Sequence, residues 1–244
     1  MPDYTIGYNA AAKKYLERSQ QKVKDVCIKC NGGILSDLDA YAKKFIETNK
    51  LEDLKVTKSR SIIVNPKLLI RWVLKVVSNA SRATGNNEDF LRRYTSLIIQ
   101  GKPPSHFNKI RLFAELIKPH IFTEEERTHL QEPYTNEIEV LPMANRVSRM
   151  EGSLPDNVVG RMVSINALYI YLVMWNKHAS SETVNAAVDS LSRSMGSLTE
   201  IIFDLKTEES VVKLKTPRRD ALQAYMHQHL YTMDEFEKWA SDSR

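Results

Sequence analysis

The sequence predicts an all-α protein, about ten helices in two lobes around one buried central helix. Three observations carry this. The run Val158–Trp175 has only Arg161, Ser164 and Asn166 as strongly polar side chains, so Asp156–His178 reads as a helix apolar on every face, and therefore enclosed. Val184, Val188, Leu191, Met195, Leu198, Ile202 and Leu205 recur at alternating spacings of 4 and 3, the seam of a long helix from Ser180-Ser181 to about Leu205. Capping residues, glycines and prolines punctuate the rest at helical intervals.

Taken in order, Asn9 caps a first helix that runs to about Lys29 and stops at Asn31-Gly32-Gly33. Ser36 with Asp39 resembles a capping box for a helix to Thr48, with Leu38, Tyr41 and Phe45 on one face. Leu51–Val64 is the least helical stretch and allows one short β-hairpin, with Val56 and Ile62–Val64 extended. Asn65-Pro66 is an N-cap followed by proline at the first helical position, opening a helix to Asn79 that buries Leu69, Trp72, Val73 and Val76. Further helices are expected over Glu88–Gln100, stopped by Gly101 and Pro103, and from Ser105 to Lys118, stopped by Pro119. Thr123 with Glu126 caps a short acidic helix. Beyond the long seam, Val211–Leu214 reads as extended, and Thr216-Pro217 and Thr232 open two last helices.

Pro133, Pro142 and Gly152 interrupt the pattern, which suggests a hinge over 131–152. It would separate an N-terminal lobe with an arm, 1–130, from a C-terminal lobe with an arm, 153–244. Charge follows the same division. Residues 1–118 hold 22 Lys/Arg against 11 Asp/Glu, a balance of +11, and residues 119–244 hold 13 against 19, a balance of −6. Such asymmetry speaks to partners rather than to fold.

At 42% hydrophobic and 27% charged residues, the chain has the composition of an ordered soluble protein. Its start, MPDYTIGYNAAAKK, has no apolar secretory core, and Cys27 and Cys30 are its only cysteines, so a reducing, cytoplasmic setting is expected. The 158–175 run is shorter than the ~20 residues of a bilayer span and contains an arginine.

The residue patterns argue against catalysis. Cys27-Ile28-Lys29-Cys30 matches C-x-x-C, but no second cysteine pair completes a zinc site, and the pair is read as structural. No phosphate loop, nucleophile elbow or H-E-x-x-H pattern occurs. Glu124–Glu126 suits the first turn of a helix, and the histidines have no interpretable spacing. No enzyme activity, metal or cofactor is therefore expected.

The basic region is the functional signal. Between Leu54 and Lys118, 13 basic residues face only Glu88, Asp89 and Glu115. Lys67, Arg71 and Lys75 fall at i, i+4 and i+8, one stripe of a helix. With Arg92, Arg93, Lys102, Lys109 and Arg111, they would pair with the phosphates of single-stranded RNA, while Tyr94 and Phe107 stack on bases. Arg161, beside the hinge, is either paired in the core or directed into the groove, where it would join this set.

In size, helical architecture and charge over the whole chain, the sequence resembles the small all-α nucleocapsid proteins of segmented negative-strand RNA viruses. That resemblance implies a viral nucleoprotein that coats single-stranded RNA without sequence preference. It would be cytoplasmic and packaged in the virion, would oligomerise head-to-tail, and would meet other viral proteins. The alternative is a helical matrix or scaffold protein whose basic face meets an acidic membrane surface or protein, and whose Val184–Leu205 seam self-associates.

Overall fold

A computed structural model describes residues 7–9, 14–16, 28–51, 58–84, 88–105, 109–121, 123, 139–140, 146–150, 158–175, 178–194, 196–202 and 208–220. It overturns the all-α expectation: the protein is mixed α/β, built on a five-stranded antiparallel sheet with helices on both faces.

The chain opens with a small ribbon, β1 (Gly7–Asn9) paired with β2 (Lys14–Leu16), where a helix from Asn9 was expected. Helices α1 (Ile28–Gly32) and α2 (Ile34–Thr48) follow. The capping box is not used. Gly33 is the N-cap of α2 without a side-chain hydrogen bond, and Ser36 lies inside the helix. Next come β3 (Arg60–Val64) and the long α3 (Pro66–Thr84), whose start is as expected. Asn65 Oδ1 accepts the Leu68 N–H at 2.9 Å, and Pro66 loses nothing in a first turn whose N–H groups lack helical partners. The helix expected over Glu88–Gln100 is two short ones, α4 (Glu88–Arg92) and α5 (Thr95–Gln100), broken at Arg93-Tyr94.

From there on, strands replace the expected helices. The segment expected to be helical to Lys118 contains β4 (Ile110–Leu116). A minor pair, β5 (His120–Ile121) with β6 (Glu139–Val140), precedes β7 (Arg146–Met150), which falls within the expected hinge. The expected central helix is a β-hairpin, β8 (Val158–Ile165) and β9 (Leu168–Trp175). Helix α6 (Ser181–Ser194) is shorter than its seam suggested, because the chain turns at Gly196-Ser197 into β10 (Thr199–Ile201). Ile202 of the seam is 79% exposed. Strand β11 (Ser210–Leu214) is extended as expected. The helix expected to open at Thr216-Pro217 does not start there: residues 216–220 are not helical, and Asp220 forms a β-bridge with Lys118. Residues 17–27 of the first expected helix, 221–244 with the last one, and the continuation of the helix opening at Thr123 lie outside the described residues, as do Cys27 and Phe107.

The main sheet has the order β10-β4-β9-β8-β7, so β4, from the N-terminal side of the expected hinge, lies between strands from the C-terminal side. The reason for the misread spine lies in the two buried faces. Leu168, Ile170, Leu172 and Met174 of β9 pack toward α2, α3 and α5, while Tyr169, Tyr171, Val173 and Trp175 pack toward α6. A strand covered on both sides has no polar alternation, so it reads as a continuous apolar run. The β-branched and aromatic residues that fill it favour the pleated form. At ~1.5–3 kcal/mol per large side chain fully buried, this hairpin contributes a large share of the apolar stabilisation among the described residues.

A two-residue turn closes the hairpin, with Ile165 opposite Leu168. Asn166 takes φ +48 there, a left-handed conformation that asparagine tolerates better than other side-chain-bearing residues. Its Nδ2 donates to the Leu51 carbonyl at 2.7 Å, fastening the hairpin tip to the end of α2. Nearby, the buried Asn49 imitates a strand neighbour for β3, accepting the Ile63 N–H at 2.7 Å and donating to the Ile63 carbonyl at 2.9 Å. On its other edge β3 pairs with β11, forming a ribbon whose Ile62, Val64 and Leu214 are buried and whose opposed Ile63 and Val211 are exposed.

Candidate nucleic-acid interface

Helix α5 ends at Gly101, whose φ of +66 and N–H bond to the Leu97 carbonyl at 3.0 Å form a left-handed stop. The missing side chain leaves room that two cations of α3 enter. A Cβ built on Gly101 lies 3.2 Å from Lys67 Cε, and 3.7 Å from both Lys67 Nζ and Arg71 Nη1. The ammonium and the guanidinium nitrogen are thus within twice 3.7 Å of each other. Lys102, the next residue in the chain, is exposed.

Nothing among the described residues neutralises Lys67, which has no hydrogen bond or ion pair there. It also stands in the first turn of α3, at the positive end of the helix dipole, and that turn holds no acidic residue. At the ~7 Å upper limit of that separation, two like charges repel by about 0.6 kcal/mol at water's dielectric and about 2 kcal/mol at an effective value near 20. An anion in the notch would turn this cost into a gain. Arg71 is fixed for such a role. Its Nε and Nη2 donate to the Ile98 carbonyl at 3.0 and 2.9 Å, and Nη2 also reaches the Ile99 carbonyl at 3.4 Å. Burial lowers its pKa from arginine's usual value, yet leaves it a cation.

Other expected ligands have different duties. Lys75, third on the stripe, is buried. It donates to the Leu35 carbonyl at 2.9 Å and pairs with Asp39, joining α3 to α2. Lys109 is buried and donates to the Ala179 carbonyl. Arg111 is half-buried against Glu200, Nε to Oε1 3.2 Å, across β4 and β10. Arg161 is 3% exposed, donates to the Gly160 carbonyl at 3.0 Å, and shares the helix-covered side of β8 with Val163 and Ile165. It belongs to the core. Tyr94 is fully buried, and burial pushes its phenol up to about 12, so it offers no stacking face. Arg92 is exposed, and Arg93 lies 4.3 Å above the Phe90 ring. The structure therefore brings Lys67 and Arg71 together at Gly101, leaves Lys102 exposed next to it in the chain, and withdraws Lys75, Tyr94, Lys109 and Arg161 from the surface.

Gly101 is the residue that the sequence reading used only as a helix stop. A glycine that stops a helix and is followed at once by a lysine, Gly101-Lys102, was the available signal. A second group has no local signal at all. Glu115, with no exposure, accepts from Tyr171 Oη at 2.5 Å and Ser197 Oγ at 2.7 Å, and pairs with Arg219, which also donates to Tyr171 Oη at 2.7 Å. These residues come together from separate strands and turns. Burial, then the Glu115 charge, raises the Tyr171 pKa well above its usual value, although Arg219 opposes this. Burial alone would lower the Arg219 pKa, but Tyr171 and Glu115 outweigh it and the net shift is upward. Both Glu115 oxygens are engaged and out of reach of a substrate, so the group acts as a rivet between the sheet and the 215–220 segment.

Among the described residues, no group of three or more His, Cys, Asp or Glu side chains could hold a metal, and no helix is long and apolar enough to cross a membrane. Comparison with protein-family models, curated proteins and solved structures gives no match.

Proposed function

We propose that this protein binds single-stranded nucleic acid, RNA in the first instance, by pairing with its phosphates and without catalysis. The observation that carries the reading is the notch at Gly101. There Lys67 and Arg71 converge on one point without a carboxylate partner among the described residues, and the exposed Lys102 follows Gly101 in the chain. An arginine whose position is fixed by two carbonyls and a nearby lysine match a phosphate's oxygens, one as a directional fork and one as a point charge. Recognition of this kind reads the backbone and carries little sequence information.

The likeness to viral nucleocapsids loses its architectural support, since it rested on an all-α fold. RNA coating and head-to-tail assembly remain part of the proposal on charge grounds alone. A fixed notch of this size suits a single phosphate better than a lipid surface, which is met by a long apolar helical face bordered by many lysines.

The direct test is the ratio of absorbance at 260 and 280 nm after purification at low salt, with the particle size measured alongside. Co-purifying RNA and discrete oligomers support the proposal. Nucleic-acid-free protein that ignores single-stranded RNA yet floats with anionic vesicles would replace it with the membrane reading.

A further inference from the structure

The segment from Lys215 to Asp220 runs beside the end of β4. The Lys118 N–H donates to the Arg219 carbonyl at 3.0 Å, and the backbones of Lys118 and Asp220 form an isolated parallel β-bridge. Its anchor is the Arg219 side chain, held down by Glu115 and Tyr171. With that residue fixed, its neighbour Arg218 is laid over the turn between α6 and β10. A Cβ built on Gly196 would be 3.0 Å from Arg218 Cζ and 3.5 Å from its Nε, and still closer to Nη1. Lys215 Nζ reaches the carbonyl of the same glycine at 3.5 Å.

This repeats the construction at Gly101, in which two cations converge where a glycine leaves room. Neither Lys215 nor Arg218 has an ion pair among the described residues, and Arg218 has no hydrogen bond there either. Glu115, the carboxylate beneath, is fully buried with both oxygens occupied, so it offers neither of them an acceptor. Arg219 Nε is buried beside them without a partner. A guanidinium seated on a backbone turn and left without an acceptor, with an ammonium at the same carbonyl, matches the oxygens of a phosphate group.

We propose that Arg218 and Lys215, seated over Gly196, form a second phosphate-binding site, occupied by a backbone phosphate of the nucleic acid. The identity of that occupant rests on the functional reading above, while the site itself does not. The discriminating variant is Gly196→Ala. The backbone there is outside the left-handed region, so alanine is tolerated, but its methyl group displaces the Arg218 guanidinium and leaves the charge of the protein unchanged. Arg218→Ala removes the charge as well.

Binding of a short fluorescein-labelled single-stranded RNA is measured by anisotropy from ~50 to ~200 mM salt, with thermal melts as the folding control. One lost phosphate contact lowers the slope of log K against log salt by about 0.7 for a single strand. Both variants are expected to show that decrease. A Gly196→Ala protein with the slope and affinity of the parent overturns the site, whatever Arg218→Ala does. If the parent ignores RNA, the functional reading fails and inorganic phosphate decides the site, followed through the amide resonances of Gly196 and Ser197. Saturable shifts in the parent that Gly196→Ala abolishes keep it as a site for free phosphate, and their absence from the parent overturns it.

Discussion

Arg71 donates twice to the carbonyl of Ile98, through Nε at 3.0 Å and Nη2 at 2.9 Å. The residue that forms one wall of the Gly101 notch is thus also the clasp between α3 and the end of α5. Stability and binding are coupled at this side chain. Arg71→Ala should destabilise the fold by about 1–3 kcal/mol, because carbonyls at the end of α5 lose their donor. Arg71→Lys should recover only part of this, since an ammonium cannot reproduce the fork. Urea midpoints of the three proteins check the order.

Lys75 separates the two effects in the opposite sense. Its ammonium is spent on the Leu35 carbonyl and Asp39. Lys75→Ala is expected to cost about 1.5–3 kcal/mol of stability, the range for a hydrogen bond to a charged group, and to leave the salt dependence of RNA binding unchanged. Asp39 is largely exposed, so little of the cost comes from the ion pair. A flatter salt dependence in this variant would return Lys75 to the binding surface.

Glu115→Gln tests the rivet. The substitution preserves shape but removes the counter-charge of Arg219 and weakens the acceptor of Tyr171 and Ser197. Breaking a buried pair from one side costs ~3–5 kcal/mol, and the partial exposure of Arg219 brings the expectation to about 2–4 kcal/mol. Denaturant unfolding gives the value. A loss under ~1 kcal/mol would mean that the network contributes little.

How much of this was legible in the sequence depended on burial geometry. Helices α2 and α3 have one apolar face and one polar face, and Asn65-Pro66 marked the start of α3 to the residue. The β8–β9 hairpin was not legible as strands. Helices cover it on both sides, which erases alternation, and its turn, Asn166-Ala167, contains neither glycine nor proline to announce it. The 4-3 seam misled because Val184, Val188 and Leu191 do form the inner face of α6, while Leu198 joins the same core only after the chain has turned at Gly196. Spacing placed Lys67 and Arg71 on one face of α3, where both reach Gly101, since i and i+4 share a face of a helix. It could not show that Lys75, one turn further on, faces α2, because that depends on a contact 40 residues away in the chain.

The tyrosines predict the alkaline limit. Burial, against the opposing effect of the Asn65 hydrogen bond, pushes the Tyr41 phenol up to about 12, burial does the same for Tyr94, and burial with the Glu115 charge raises Tyr171 as well. The folded protein therefore keeps protons that the unfolded chain releases near ~10. Stability from this source is complete below pH ~10 and is lost as the pH climbs toward ~12. Urea unfolding at stepped alkaline pH should show the decline. Tyr94→Phe should make it shallower by up to ~1.4 kcal/mol per pH unit.

On the proposed function, Lys67 and Lys102, with Arg71, hold a phosphate at Gly101. The most direct measurement is the salt dependence of single-stranded RNA binding for the parent and for a Lys67→Ala, Lys102→Ala protein. Neither lysine has a hydrogen bond or ion pair through its side chain among the described residues, and Lys67 is repelled by Arg71, so the double variant should fold at least as stably as the parent. RNA binding by the parent should weaken steeply with salt, and the slope should be lower by ~0.7 to 1.4 in the variant, one or two phosphate contacts. A variant that binds RNA with the affinity and slope of the parent, or a parent that does not bind at ~50 mM salt, would contradict the proposed function.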